Sequence, residues 1–177
     1  MNEPGVGEVK ASDIGDLADR FLKACARRKI LAATAESCTG GLIIAAMTDI
    51  PGSSSMVDRG FVTYSNDAKR EMLGVAAGTL ELHGAVSEET ALEMAKGALS
   101  RSRAGIALAV TGIAGPDGGS ATKPVGLVWF SLALAGQPAV AQKRIFDNRG
   151  RDFIRRQTVR QALEMGLAAL ENQSGAP

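Results

Sequence analysis

Short apolar runs alternate with amphipathic segments of helical period along the chain, and this alternation is typical of an α/β fold. After Ser12, a residue suited to begin a helix, apolar residues recur three and four positions apart. This stripe comprises Ile14, Leu17, Ala18, Phe21, Leu22 and Cys25. The same reasoning predicts strands at 30–35, 57–65 and 105–111, and helices at 40–50, from Asn66, from Ser87 and at 152–171.

One apolar run predicts the centre of the sheet, and a pair of apolar runs predicts a hairpin at one edge. Residues 105–111 are almost wholly apolar, which indicates a strand buried on both faces. The apolar runs 125–134 and 140–146 flank a turn at 135–138, so they predict an antiparallel hairpin. We therefore expect an α/β/α sandwich of three layers, with a mixed, mostly parallel sheet and one antiparallel hairpin.

The length of the chain fits one domain. A chain of 177 residues buries about 70% of the surface that it exposes when unfolded, which is enough for a core without disulfides or metal. No internal repeat or linker divides the pattern. We predict a single domain over residues 12–171, with flexible ends at 1–11 and 172–177.

Composition argues against several classes of function, although a local patch could still meet a charged partner. The 20 basic and 19 acidic residues leave a net charge of +1, which provides no overall field for nucleic acid or membrane binding. Neither a signal peptide nor a membrane-spanning run is visible, and the spacing of Cys25 and Cys38 fits no disulfide framework, so we expect a cytoplasmic protein. His83 is the only histidine. We expect no metal and no cofactor.

Small and polar residues cluster in three segments, at 36–41, 51–55 and 111–119. Ligands of open α/β sheets bind beyond the carboxyl ends of the strands, and glycine allows backbone N–H groups to approach an anion closely. A helix that begins near Gly40 would add its positive end, so a phosphate group is a natural ligand. The spacing matches no common nucleotide-binding motif, and each segment alone is more often an ordinary turn.

Ser54, Tyr64 and Lys69 form a second candidate group. Tyr64 ends a predicted strand, and Asn66 is a good N-cap, which places Lys69 in the first turn of the next helix. The helix dipole and partial burial would both disfavour an ammonium group there, so a neutral lysine could act as a general base for a serine nucleophile. Spacing alone favours the plainer interpretation of a solvated lysine and a half-buried tyrosine.

Four blocks of the sequence, taken in order, resemble one known family. They are residues 35–41 (AESCTGG), 60–66 (GFVTYSN) with Lys69, 83–88 (HGAVSE), and 112–119 (GIAGPDGG) with 123–126 (KPVG). The family is that of the CinA carboxy-terminal domain, and in particular its stand-alone members that act as nicotinamide mononucleotide amidohydrolases. The resemblance extends over roughly residues 12–170.

This resemblance implies hydrolysis of the carboxamide of nicotinamide mononucleotide to nicotinic acid mononucleotide and ammonia, a step of pyridine nucleotide recycling. It implies Ser54 as the nucleophile, with assistance from Tyr64 and Lys69 and a further role for Arg151. It also suggests a homodimer or a higher homo-oligomer. The adjacent serines at 53–55, and Arg149 beside Arg151, leave the exact assignment open. The candidates for substrate contacts are Thr39, Gly40, Gly41, Thr111, Gly112 and Gly115.

Two other classes of function are also compatible with the sequence. One is a non-catalytic nucleotide-binding or regulatory module of the competence- and damage-inducible type. The other is an oligomeric scaffold that uses the hairpin at 125–146 as its interface. The joint presence of Ser54, Tyr64 and Lys69 favours the amidohydrolase, because a degenerate module would be free to lose them.

Overall fold

A five-stranded mixed sheet organises residues 10–172, the part of the chain that the computed structural model describes. Its strands are β1 (Ala32–Glu36), β2 (Val57–Val62), β3 (Ile106–Gly112), β4 (Leu127–Leu134) and β5 (Val140–Ile145). The helices are α1 (Ala11–Arg28), α2 (Leu42–Thr48), α3 (Asn66–Leu73), α4 (Ala77–His83), α5 (Glu88–Ser100) and α6 (Arg151–Glu171). A short 3₁₀ turn, Ser53–Ser55, precedes β2.

The strand order β2-β1-β3-β4-β5 places β1, β3 and β4 inside the sheet, with β2 and β5 at its edges. β1 runs parallel to both β2 and β3, whereas β3–β4 and β4–β5 are antiparallel. The predicted mixed, mostly parallel sheet with an antiparallel hairpin is confirmed, because four strands run in one direction and β4 alone runs against them. Glu36 pairs with Val62 and with Val110, so the carboxyl ends of β1, β2 and β3 meet at one edge.

Helices cover both faces of the sheet and complete the three layers. α1, α2 and α6 pack on one face, where Cys25 is fully buried in the core as its spacing predicts. α3, α4 and α5 pack on the other face against small strand residues such as Ala35 and Ala109, which let α5 lie close to the sheet. Among residues 10–172, no helix combines the length and the apolar character needed to cross a bilayer.

The helix starts only partly follow the sequence prediction. Ser87 caps α5, and its Oγ accepts a hydrogen bond from the Thr90 N–H at 3.2 Å, as predicted. α3 is capped by Ser65 in place of Asn66. α1 begins at Ala11, before Ser12, so the predicted flexible end at 1–11 overlaps the helix. The remainder of the two predicted ends, at 1–9 and 173–177, lies outside the described residues.

Candidate active site

Glu36 organises the turn that follows β1. Its side chain is fully buried, at 0% exposure. The carboxylate accepts hydrogen bonds from the N–H groups of Gly41 (3.0 Å), Ile43 (3.0 Å) and Ile44 (2.8 Å), and from the hydroxyls of Thr34 (3.1 Å) and Thr39 (2.7 Å). The first N–H groups of α2 would otherwise lack partners, and a negative charge suits a helix N-terminus. Glu36 therefore fixes both the start of α2 and the loop that leads to it.

Glycines give this loop its sharp turn. Gly40 and Gly41 have φ angles of +60° and +101°, in the left-handed region that side-chain-bearing residues rarely adopt. The hydroxyl of Thr39 is already bonded to Glu36. All three predicted substrate-contact residues consequently shape the loop, but Thr39 is fully buried, so only the two glycines reach its surface.

Ser37 is the first residue after β1, and Lys69 of α3 lies directly against it. The Nζ atom of Lys69 is 3.0 Å from Ser37 Oγ, 2.8 Å from the Thr63 carbonyl oxygen and 3.5 Å from the Tyr64 carbonyl oxygen. Only 1% of the Lys69 surface is exposed. The interpretation of Lys69 as a solvated helix lysine is therefore wrong, and the alternative of a buried lysine near the start of α3 is confirmed.

Burial lowers the pKa of Lys69 from 10.5 to about 8, because the ammonium form loses its hydration. No carboxylate among residues 10–172 lies within ion-pair distance of Nζ to offset this cost. A neutral amine has two N–H donors and one lone pair. If the donors bond the carbonyls of Thr63 and Tyr64, the lone pair is free to accept the Ser37 hydroxyl proton. Ser37 and Lys69 thus have the geometry of a nucleophile and its general base.

Cys38 follows Ser37 but has the properties of a core residue. It is only 5% exposed, and burial raises the pKa of its thiol to about 12. A thiol becomes a strong nucleophile as the thiolate, which this environment disfavours. Ser37 is therefore the better nucleophile of the two neighbours.

Ser54 lies at the opposite end of β2 from this pair. It is exposed in the turn Ser53–Ser55 that precedes β2, whereas Tyr64 and Lys69 follow the strand. Six strand residues at about 3.3 Å each separate the two ends by about 20 Å. The structure therefore does not bring Ser54 to Lys69 within the chain, and the serine that contacts Lys69 is Ser37.

Tyr64 and Arg151 meet at the exposed rim of the same sheet edge. Arg151, the first residue of α6, donates hydrogen bonds to the Tyr64 hydroxyl at 3.1 Å and to the Gly115 carbonyl oxygen at 2.9 Å. Arg149 instead places its guanidinium 4.4 Å from the centre of the Phe153 ring. Of the two candidate arginines, Arg151 is thus the one that joins the predicted residues Tyr64 and Gly115.

Thr111 and Gly112 end β3 beside Ser37. The Ser37 N–H donates to the Val110 carbonyl oxygen at 3.1 Å, which extends the β1–β3 pairing by one residue. The Thr111 hydroxyl donates to the Ala85 carbonyl oxygen at 2.7 Å. A Cβ atom at Gly112 would lie 2.7 Å from the Leu127 carbonyl oxygen, so this glycine permits the pairing with β4. Within the described part of the chain, no group of His, Cys, Asp or Glu side chains is arranged to hold a metal ion.

The chain is similar to known proteins over nearly its full length. Residues 15–170 match the family model of the CinA C-terminal domain. The nicotinamide-nucleotide amidohydrolase PncC of Escherichia coli K12 is 48% identical over 153 residues, which cover 86% of this chain and 92% of that protein. The PncC of Enterobacter agglomerans is 54% identical over 133 residues, or 75% of this chain and 80% of that protein. The crystal structure of the competence/damage inducible protein CihA from Agrobacterium tumefaciens matches with a TM-score of 0.87 and 53% identity, covering 96% of this chain and 99% of that one.

Proposed function

The chain belongs to the CinA C-terminal domain family, and we propose that it hydrolyses the carboxamide of nicotinamide mononucleotide to nicotinic acid mononucleotide and ammonia. The names of its relatives from Escherichia coli and Enterobacter agglomerans support this reaction. The observation that carries the proposal is the buried contact of 3.0 Å between Lys69 Nζ and Ser37 Oγ. A nucleophile and a base at this distance suit the cleavage of an amide.

Acylation begins with neutral Lys69 as the base. The Ser37 hydroxyl gives its proton to Lys69 while Oγ attacks the carboxamide carbon, which forms a C–O bond and a tetrahedral oxyanion. The resulting Lys69 ammonium then protonates the amide nitrogen. The C–N bond breaks, ammonia leaves, and Lys69 is neutral again beside an ester on Ser37.

Deacylation repeats the same proton transfers with water. Lys69 takes a proton from a water molecule as its oxygen adds to the ester carbon. The Lys69 ammonium returns that proton to Ser37 Oγ when the C–O bond to the serine breaks. The products are nicotinic acid mononucleotide and the original Ser37–Lys69 pair, so no further reagent is consumed.

The rim residues suit the remainder of the substrate. Arg151 is exposed and lies at the same edge of the sheet as Ser37. A guanidinium group binds phosphate oxygens in a fixed geometry, and Tyr64 holds this one by its hydroxyl. We assign Arg151 and Tyr64 to the nucleotide end of the substrate, and Ser37 and Lys69 to the carboxamide end.

The direct test is to incubate the pure protein with nicotinamide mononucleotide and to measure ammonia and nicotinic acid mononucleotide together. We expect equal amounts of both products. Nicotinamide, which lacks the ribose phosphate, serves as the control and should react far more slowly. Tight binding of the mononucleotide without ammonia release would contradict the proposal and favour the regulatory module.

The pH dependence of kcat/KM is expected to follow the ionisation of Lys69. The base must be neutral, and its pKa is lowered to about 8, so activity should rise with pH and level off above that value. Below it, each pH unit should reduce kcat/KM about tenfold, because the fraction of neutral lysine falls by that factor. Initial rates of ammonia release across this range measure the profile. Activity that stays constant or falls as the pH approaches 8 from below would contradict the role of Lys69.

A further inference from the structure

Ser37 and Lys69 are almost completely enclosed, so a carboxamide needs an opening to reach them. Ser37 is 9% exposed and Lys69 is 1% exposed. The loop after Ser37 does not provide this opening, because Arg155 of α6 fixes it. Arg155 Nε donates to the Cys38 carbonyl oxygen at 3.2 Å, and Nη2 donates to the Thr39 carbonyl oxygen at 2.8 Å. Access to the pair therefore depends on the chain segments at its two sides.

The segments that leave β2 and β3 form these two sides. β1 lies between β2 and β3 in the sheet, and Ser37 is the first residue after β1. On the β2 side, the Tyr64 carbonyl oxygen lies 3.5 Å from Lys69 Nζ, so the Tyr64 backbone borders the pair. On the β3 side, the Ser37 N–H donates to the Val110 carbonyl oxygen at 3.1 Å, and the chain continues from there to Gly115. Ser37 thus lies between the segments that carry Tyr64 and Gly115.

Arg151 ties the two segments together. Its guanidinium donates to the Tyr64 hydroxyl at 3.1 Å and to the carbonyl oxygen of the buried Gly115 at 2.9 Å. Tyr64 is 63% exposed and Arg151 is also exposed, so an anion from solvent reaches the guanidinium directly. A phosphate group accepts two parallel N–H bonds from an arginine and adds its negative charge, which a hydroxyl and a carbonyl lack. Phosphate therefore competes with Tyr64 and Gly115 for the same donors.

We propose that the Tyr64–Arg151–Gly115 contact is a strap, which keeps Ser37 and Lys69 enclosed until the phosphate of the substrate releases it. The phosphate takes Arg151 from Tyr64 and Gly115, the two segments separate, and the carboxamide reaches Ser37 Oγ. This inference rests on the proposed amidohydrolase function, and it makes Arg151 a determinant of specificity for phosphorylated substrates. Part of the binding energy of the phosphate is used for the opening, so a substrate without phosphate loses kcat as well as affinity.

The first test uses nicotinamide riboside, which has the carboxamide and the ribose but no phosphate. We expect inorganic phosphate, added at constant ionic strength, to raise ammonia release from the riboside about tenfold or more, the factor for one hydrogen bond to a charged group. Arg151→Ala should hydrolyse the riboside faster than wild type does without phosphate, and phosphate should not change its rate. Arg149→Ala is the matched control, because Arg149 stacks on Phe153, and phosphate should activate it as it activates wild type.

The second test measures the opening without catalysis, by the rate at which a serine-reactive sulfonyl fluoride labels Ser37. Ribose 5-phosphate, which has no carboxamide, should speed the labelling of wild type. Arg151→Ala should be labelled rapidly with or without it. Tyr64→Phe removes one contact of the strap and leaves the guanidinium in place, so it should be labelled faster than wild type and still respond to ribose 5-phosphate. If thermal melting shows that Arg151→Ala is unfolded, Tyr64→Phe decides in its place.

The inference is wrong if phosphate leaves the riboside rate of wild type unchanged, or if it activates Arg151→Ala equally. Slower labelling of Ser37 in the presence of ribose 5-phosphate, or labelling of Tyr64→Phe at the wild-type rate, would also overturn it. A wild type that releases no ammonia from nicotinamide mononucleotide overturns the proposed function, and the labelling rates then decide on the strap by themselves. A wild type that is active on the mononucleotide but indifferent to phosphate on the riboside overturns this inference alone.

Discussion

Ser37→Ala is expected to abolish ammonia release from nicotinamide mononucleotide, whereas Ser54→Ala should leave it close to the wild-type rate. Ser37 Oγ is the hydroxyl that lies 3.0 Å from Lys69 Nζ, and Ser54 lies at the far end of β2. Loss of a serine nucleophile from a hydrolase typically lowers kcat by 10⁴-fold or more, on the order of 10⁶-fold in the best-studied case. The measurement is the rate of ammonia release at saturating substrate.

Ser54→Ala is the matched control for this change. Both variants remove one hydroxyl oxygen, and Ser54 is exposed, so its replacement should not affect folding. Thermal melting of both variants should confirm that each retains its fold. Full activity of Ser37→Ala together with loss of activity in Ser54→Ala would contradict the pairing of Ser37 with Lys69.

Lys69→Met is expected to remove activity and, separately, to change how stability depends on pH. Methionine fills a similar volume but has no lone pair to accept the Ser37 proton, so kcat should fall at least about 100-fold, the lower end of the contribution of a general base. The fall should persist at every pH. Ammonia release measured above pH 8 would show this directly, since wild-type Lys69 is neutral there.

The stability effect follows from the difference in pKa between the two states of the protein. The pKa of Lys69 is about 8 in the folded state and 10.5 in the unfolded state. Between these values the unfolded state binds the extra proton, so the free energy of unfolding rises with pH. Lys69→Met lacks this group, so the free energy of unfolding of wild type minus that of Lys69→Met should rise by about 3 kcal/mol across this range.

Denaturant unfolding of both proteins at several pH values tests this expectation. Cys25, Cys38 and the other titratable groups are present in both proteins, so their contributions largely cancel in the difference. A difference that stays constant from pH 8 to pH 10.5 would show that Lys69 is solvated in the folded protein. It would also remove the basis for a lysine that becomes neutral near pH 8.

The sequence predicts the layers of the fold because burial has a strong local pattern. The apolar run 105–111 and the hairpin 125–146 correspond to β3, β4 and β5 within a few residues. α4 escapes prediction because, of its seven residues, Leu80 alone is buried, which leaves little periodic signal. Ser65 in place of Asn66 shows that neighbouring residues with equal capping ability cannot be separated by propensity alone.

The candidate site, too, is only partly predictable from local sequence patterns. The position of Lys69 in its helix is local, and the sequence therefore identifies it as a candidate base. Its contact with Ser37 spans 32 residues and depends on β1 lying beside β2, which no local pattern specifies. Ser37 stands in the conspicuous segment 36–41, yet it has no feature of its own that separates it from Ser53, Ser54 or Ser55.

The sequence does not single out Glu36 or Arg155 as members of the site, and the reasons differ. Glu36 did carry a signal, because an acidic residue at the end of a buried apolar strand needs buried partners, and the turn and helix that follow supply them. Arg155 is one of several arginines on α6, and its contact with Cys38 spans 117 residues. Only the folded structure distinguishes it from its exposed neighbour Arg156.

We propose Ser37 as the nucleophile and Lys69 as its base. The most direct measurement is to label the protein with a small serine-reactive sulfonyl fluoride and to locate the label by peptide mass spectrometry. We expect the label on Ser37, with protection by nicotinamide mononucleotide and no labelling in Lys69→Met. Inactivation accompanied by a label on Ser54, with Ser37 unmodified, would contradict the claim.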